Sequence, residues 1–271
     1  ESIVLAKNAD DILPLNPAES YKVLVTGPTS NSLSYQSGGW TWQWQGSFPE
    51  DEDKWFSYGT TVLGAMKNND ALQWDVHYAC GVDVMGGECQ DTTKDANEQT
   101  QPSKKSGNKA LNTVKGWVGW GDDDPVSYVA IEQAIHDAKD KDYAIICVGE
   151  ESYTEKPGDI RSSRLPQGQY ALVEAIKANT DAKIILVYFG GRPRLLSDMV
   201  EHADAVLVGF LPGPMAGDAI YEILTGVTNP SGKLPITYPK FEDSAGSPYM
   251  HAVSDRCTED TGEPLPHYDY V

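Results

Sequence analysis

The sequence is short of positive charge: 21 Lys and Arg stand against 40 Asp and Glu, for a formal net charge of −19. Nucleic acid and anionic membrane surfaces would both be repelled by that balance, so neither is expected as a partner. No stretch approaches the roughly 20 apolar residues that span a bilayer. No G-x-G-x-x-G follows the first apolar run and no G-x-x-x-x-G-K-[ST] occurs, so a recognisable phosphate cradle is missing. The segment "TGPTSNS" could form a flavodoxin-like phosphate loop, but the acidity and the bulky aromatics after it argue against a nucleotide. The G-x-S-x-G elbow of an α/β-hydrolase is missing as well. The only N-x-[ST] sequence, Asn229-Pro230-Ser231, is blocked by its proline, so N-glycosylation is not expected on this chain.

Cysteines are few, with no C-x-x-C and no His/Cys cluster, so neither a metal nor another cofactor is implied. Histidines 77, 136, 202, 251 and 267 are scattered and read as surface or packing residues. Cys80 and Cys89 bracket the glycine-rich "CGVDVMGGEC", and a local disulfide is expected across it. Cys147, inside "YAIICVG", reads as a buried free thiol. Cys257 sits in a polar tail, where a partner outside this chain could meet it. The chain opens at Glu1 without an initiator Met or a signal peptide, so it reads as a processed product or a piece of something longer.

What is present is a series of short, continuous apolar runs. "YKVLVTG" (21–27), "DYAIICVG" (142–149), "AKIILVYFG" (182–190) and "ADAVLVGF" (203–210) read as strands buried on both faces of a parallel sheet, with "WDVHYAC" (74–80) a weaker fifth. "GKLPITY" (232–238) is expected to add an edge strand, since its Pro235 is intolerable in a central one. Helical stripes lie between the runs. One starts at Asp124-Pro125 and carries Tyr128, Ile131, Ile135 and Ala138. Others cover 60–67, 167–177 and 215–225, the last stopped by Gly226. The pattern predicts a single α/β domain: a three-layer sandwich around a mostly parallel, flavodoxin-like sheet with one antiparallel edge strand. The polar stretch 90–124 is too long for an ordinary connection and reads as an insertion, anchored at its end by Trp117 and Trp120.

In such a sheet, ligands sit beyond the carboxyl ends of the strands. Those ends include "GGRPR" (190–194), and two of them carry chemistry. After the first run comes "GGWTWQWQG" (38–46), with Trp40, Trp42 and Trp44 at alternate positions, as in a strand or extended loop that turns three indoles to one side. Either they are core or they form a flat surface for a flat ligand. After "DYAIICVG" comes "GEESYTEKPGD" (149–159), with Glu150, Glu151, Glu155 and Tyr153. A carboxyl just past a buried strand is desolvated and becomes a general acid. Beside an aromatic platform, that is the equipment of glycoside hydrolysis. The competing reading is a solvated acidic loop with no chemistry.

Taken together, the segments resemble the (α/β)6-sandwich domain of family 3 glycoside hydrolases, the β-glucosidases and exo-β-glucanases. "ESIVLAKNADDILPL", "GPTSNSLSYQSGGWTWQWQG", "AIICVGEESYTEKPGD", "LPQGQ", "GGRPRLL", "GFLPGPMAGDAIYEILTG" and "NPSGKLPITYPK" follow in the family's order and cover nearly all of the chain outside the insertion. The resemblance implies Glu150 as the catalytic acid/base, with Glu155 as fallback and Glu151 a less favoured neighbour. It implies Trp40 as the ring that stacks on the sugar beyond the scissile bond and Tyr153 as a further substrate contact, leaving Trp42 and Trp44 as packing that holds the loop. It implies a β-linked glucoside or glucan substrate and a secreted, extracellular or periplasmic protein. It also implies an upstream (β/α)8 barrel in the same parent polypeptide, carrying an aspartate nucleophile in an SDW-type motif. No such motif occurs here. Ser197-Asp198-Met199 is superficially similar but follows "GGRPRLL" in a predicted helix and is rejected. Alone, the chain is therefore expected to be inactive. A reading from another class is a non-catalytic carbohydrate-binding or scaffolding module that kept this fold.

Overall fold

The computed structural model describes residues 2–89 and 126–242. Six strands form one sheet: β1 (Val4–Asn8), β2 (Lys22–Thr26), β3 (Asp75–Ala79), β4 (Tyr143–Gly149), β5 (Lys183–Phe189) and β6 (Ala205–Phe210). Their order is β1-β6-β5-β4-β2-β3. All pairs are parallel except β1 with β6. The parallel strands alone follow the flavodoxin-like order, which reverses between β2 and β4.

The helices are α1 (Leu33–Ser37), α2 (Glu52–Trp55), α3 (Val62–Lys67), α4 (Tyr128–Ala138), α5 (Gln167–Asn179), α6 (Ser197–His202) and α7 (Ala216–Leu224). Because side chains alternate along a strand, each central run feeds two cores. Leu24, Ile146, Val148, Ile184, Leu186 and Val206 pack on one face with Ile131 and Ile135 of α4, Leu172 and Ile176 of α5, and Met199 of α6. Val23, Val25, Ile145, Val187, Phe189 and Leu207 pack on the other with Leu63 and Met66 of α3 and Ile220 of α7. That double burial is why these strands read as unbroken apolar runs, and it makes three layers.

Three sequence expectations are corrected. Residues 232–238 form no strand, and the antiparallel edge is β1 at the other end of the chain. Tyr238 is instead buried, with its ring edge-on to Tyr188. Helix α4 begins at Tyr128 under a Ser127 cap whose side chain accepts from the Ala130 N–H. Asp124 and Pro125, the insertion 90–124 and Cys257 lie outside the described residues. Third, 38–46 is a compact turn rather than a strand or an extended loop. The Cys80–Cys89 disulfide is present, and Cys147 is a buried free thiol whose pKa burial pushes up.

Candidate active site

The strand order reverses between β2 and β4, and the loops that leave their carboxyl ends meet there. Glu150 is the first residue past β4. Its N–H donates to the Phe189 carbonyl (3.1 Å), extending the β4–β5 ladder by one bond. In that ladder Gly149 lies opposite Phe189, so the loop 190–194 leaves the sheet directly beside Glu150. Two arginines of "GGRPR" turn onto its carboxylate: Arg192 Nε and Arg194 Nη1 each donate to Oε1 at 2.8 Å. Arg194 is itself buried and also donates from Nη2 to the Arg164 carbonyl. Arg192 donates to the Gly158 carbonyl (2.6 Å) and stacks its guanidinium 3.9 Å over the Tyr153 ring.

Oε2 of Glu150 has a different environment. The Tyr153 hydroxyl stands 3.3 Å from it and the Tyr188 hydroxyl 3.5 Å. A phenol has one proton to give. Tyr188 makes its shorter bond to the Arg192 carbonyl at 2.8 Å, so it turns a lone pair toward Oε2. One carboxylate oxygen is thus held by two cations at 2.8 Å, while the other accepts from the neutral Tyr153 hydroxyl at a longer 3.3 Å. Burial, followed by the charge of Glu150, raises the Tyr153 pKa to about 12, so it stays a neutral phenol through the physiological range. Tyr188 and Tyr238 are pushed up for the same two reasons.

Glu150 is 7% exposed, and the other two glutamates do not join its cluster. Glu151 is at the surface, its pKa raised by partial desolvation and then by the charge of Glu150. Glu155 is exposed, with its backbone at φ 49°, at the start of the short 3-10 turn Lys156–Gly158. The acidic loop therefore holds one buried and two exposed glutamates.

The tryptophan turn is rooted in α1. Ser32 caps that helix by accepting from the Tyr35 N–H (3.1 Å), and it donates to Glu52 Oε1 (2.7 Å). Glu52 Oε1 also accepts the Ser34 N–H (2.8 Å), and Ser34 and Ser47 pair their hydroxyls at 2.9 Å across the base of the turn. The turn abuts the carboxylate loop with no space to spare: a Cβ added at Gly39 would strike the Tyr153 carbonyl and the Thr154 methyl. Trp40 is 68% exposed, Trp42 48% and Trp44 49%. The expectation that Trp42 and Trp44 are packing is corrected for their indoles. Among the described residues, only the Trp42 ring of the three has an aromatic neighbour, Phe56, edge-on at 6.1 Å. Alternation is no guide here because the turn exposes the intervening Thr41 and Gln43 as well as the indoles.

The arginines are the residues that sequence reasoning missed. The loop "GGRPR" follows a predicted strand, and adjacent parallel strands place consecutive ends side by side. A buried Glu at one end therefore calls for a cation at the next. Among the described residues, no group of three or more His, Cys, Asp or Glu could hold a metal ion.

Two stability outcomes follow from this electrostatic layout. Arg194→Met leaves a buried carboxylate short of one cation and is expected to cost about 3 kcal/mol in urea unfolding. Glu150→Gln added to it should restore part of the loss. Glu151 behaves oppositely. Its raised folded pKa means that the folded state holds a proton more tightly than the unfolded chain, so stability falls as pH rises through the window above its ordinary value of 4.5. Glu151→Gln lacks that slope, so it should melt higher than the parent at pH 7 and together with it at pH 4 or below.

Comparison with known proteins adds the family. The model of the glycosyl hydrolase family 3 C-terminal domain matches residues 3–270. A lysosomal beta glucosidase of Dictyostelium discoideum is 30% identical over 94% of this chain, which covers 26% of that protein. A periplasmic beta-glucosidase of Salmonella typhimurium is 30% identical over 94% of the chain, which covers 29% of it. A crystal structure of an exo-1,3/1,4-beta-glucanase mutant from a Pseudoalteromonas species superposes with a TM-score of 0.62 at 22% identity, over 99% of this chain and 34% of that one, and speaks for the fold. The chain thus spans about a quarter to a third of the proteins it resembles. A match over nearly its whole length, on the predicted fold and with the expected loops at the sheet's switch point, means that this chain belongs to glycosyl hydrolase family 3, as its C-terminal domain.

Proposed function

We propose that this chain is the acid/base-bearing domain of a retaining β-glucosidase or exo-β-glucanase that releases glucose from the non-reducing end of β-glucosides or β-glucans. The observation that carries the proposal is the asymmetry of Glu150 at the switch point: Oε1 is fixed by Arg192 and Arg194 at 2.8 Å, whereas Oε2 has only the longer contacts to the Tyr153 and Tyr188 hydroxyls among the described residues, at 3.3 and 3.5 Å. The carboxyl is thereby held in one orientation with one oxygen able to carry a proton. Trp40, the most exposed of the three indoles, offers a platform for the apolar face of the sugar beyond the scissile bond. Tyr153, with its hydroxyl 3.3 Å from Oε2, is a further substrate contact. Glu155, on its exposed turn, is the fallback acid/base.

The proposal places this domain, residues 1–271 with an insertion at about 90–124, after a (β/α)8 barrel of the parent polypeptide that supplies the nucleophilic aspartate. That aspartate attacks the anomeric carbon while Glu150 gives the Oε2 proton to the leaving oxygen, and the C–O bond breaks. Water then enters, Glu150 takes its proton, and the hydroxyl oxygen displaces the aspartate to free glucose with retained configuration. A retaining pair of this kind stands about 5–5.5 Å apart. The domain alone lacks the nucleophile and is proposed to be inactive. The lysosomal and periplasmic names of its relatives and the Cys80–Cys89 disulfide support a secreted, extracellular or periplasmic protein. Among the described residues, no helix is long and apolar enough to cross a membrane.

Three exposed indoles on one turn also suit a module that binds carbohydrate without cleaving it. One experiment separates the readings: the full-length parent assayed on an aryl β-glucoside beside Glu150→Gln and Glu155→Gln. Glu150→Gln is expected to lose about 10²–10⁴-fold in kcat. Azide, which needs no general base, should restore turnover of a substrate with a good leaving group. Loss in Glu155→Gln alone would move the role by one turn of the loop. Full activity in both variants, or a parent that does not hydrolyse, would leave the binding module.

A further inference from the structure

Trp40 is held in a conformation it would not choose. Its backbone φ is 55°, in the left-handed region that disfavours a bulky side chain, so its surroundings must impose it. The constraint is local: the Trp40 N–H donates to the Trp44 carbonyl at 3.1 Å, closing the turn. That carbonyl has a second lone pair, and it accepts the Thr154 hydroxyl at 2.9 Å. Thr154 is buried and comes from the carboxylate loop, four residues after Glu150. Its backbone N–H donates to Gln45 Oε1 at 3.0 Å, in the same turn. Two residues earlier, the Ser152 hydroxyl donates to the Ser34 carbonyl at 3.1 Å, where the turn is rooted. With Gly39 closed against Tyr153 and Thr154, the turn and the carboxylate loop are pinned at four points.

We propose that Thr154 is a positioning residue: through the Trp44 carbonyl it fixes the backbone of Trp40, and so ties the aromatic platform to the loop that carries Glu150. This inference rests on the functional reading above. Thr154 touches no substrate. It makes platform and acid one rigid unit, so that a sugar seated on Trp40 presents its glycosidic oxygen at a fixed position relative to Glu150. Coupling of this kind between Thr154 and Trp40 needs only the hydroxyl at 154, since the Gln45 bond uses the backbone. Trp44 serves through its main chain, which accounts for an indole left half exposed.

The test uses Thr154→Val, which keeps the shape and removes the donor, and Thr154→Ser, which keeps the donor. Hydrogen exchange at the Trp40 amide is read first. Thr154→Val should speed it by about fivefold relative to the core strands, and Thr154→Ser should leave it as in the parent. Kinetics in the full-length parent are read second, on a β-linked glucose disaccharide and on β-glucosyl fluoride. The fluoride has no ring to seat on the platform and needs little protonation. Thr154→Val should lose about tenfold in kcat/KM on the disaccharide and less than about threefold on the fluoride, with Thr154→Ser restoring both. Unchanged Trp40 exchange in Thr154→Val would overturn the proposal. Equal losses on the two substrates, or no loss on either, would also overturn it. Glu150→Gln and Trp40→Ala serve as controls: if both still cleave the disaccharide, the functional reading has failed, while the exchange result still judges the clasp alone.

Discussion

Removing a carboxylate from water costs several kcal/mol unless cations and donors replace the lost hydration, and the arrangement of this domain's site follows from meeting that cost at Glu150. The two guanidinium groups on Oε1 come from the next strand end, so the pairing of β4 with β5 is the condition for the site. Arg192 in turn ties down Gly158 and covers one face of Tyr153, and Arg194 reaches back to the Arg164 carbonyl. A single buried charge thereby organises three loops. The asymmetry it leaves, one saturated oxygen and one facing phenols, is what gives the group chemical direction.

Rigidity below the site has a simpler source. Strands β4 and β5 are buried on both faces, and each alternate side chain commits to one of two helical layers. Such strands have little freedom to shift register, because a slip by one residue would exchange the two cores. Close backbone approach at Gly149, where any Cβ would strike the Phe189 carbonyl, brings the two strand ends together where Glu150 emerges. The aromatic turn has no such scaffold of its own. It is fixed instead by hydroxyls and carbonyls: Ser32, Ser34 and Ser47 at its base, and Thr154 at its tip.

This division explains what could be read from residues alone. Doubly buried strands announce themselves as unbroken apolar runs, so the central sheet and its layers were legible, as was the place of Glu150 at a strand end. The edges were not. "VLAKN" buries little of its length as β1, while "KLPIT" has the composition of a strand but forms none among the described residues. Edge pairing depends on where the chain ends travel, which local pattern does not encode. The tryptophan alternation was misread because the turn exposes Thr41 and Gln43 together with the indoles, so the period marks no buried and open face. The arginine pair went unnoticed because it becomes visible only when strand order sets two loops side by side.

The central claim of the proposal is that Glu150, held by two arginines on one oxygen and by phenols at longer distance on the other, faces a nucleophile across an interdomain cleft. The most direct measurement is a crystal structure of the full-length parent with a sulfur-linked β-glucose disaccharide that it cannot cleave. The account predicts a carboxyl-to-carboxyl separation of about 5–5.5 Å between Glu150 and the barrel aspartate, with the Trp40 ring against the second sugar. A separation of about 6.5–9.5 Å would mean an inverting enzyme. A Glu150 still enclosed by Arg192 and Arg194 and turned away from the glycosidic oxygen would contradict the acid/base role outright.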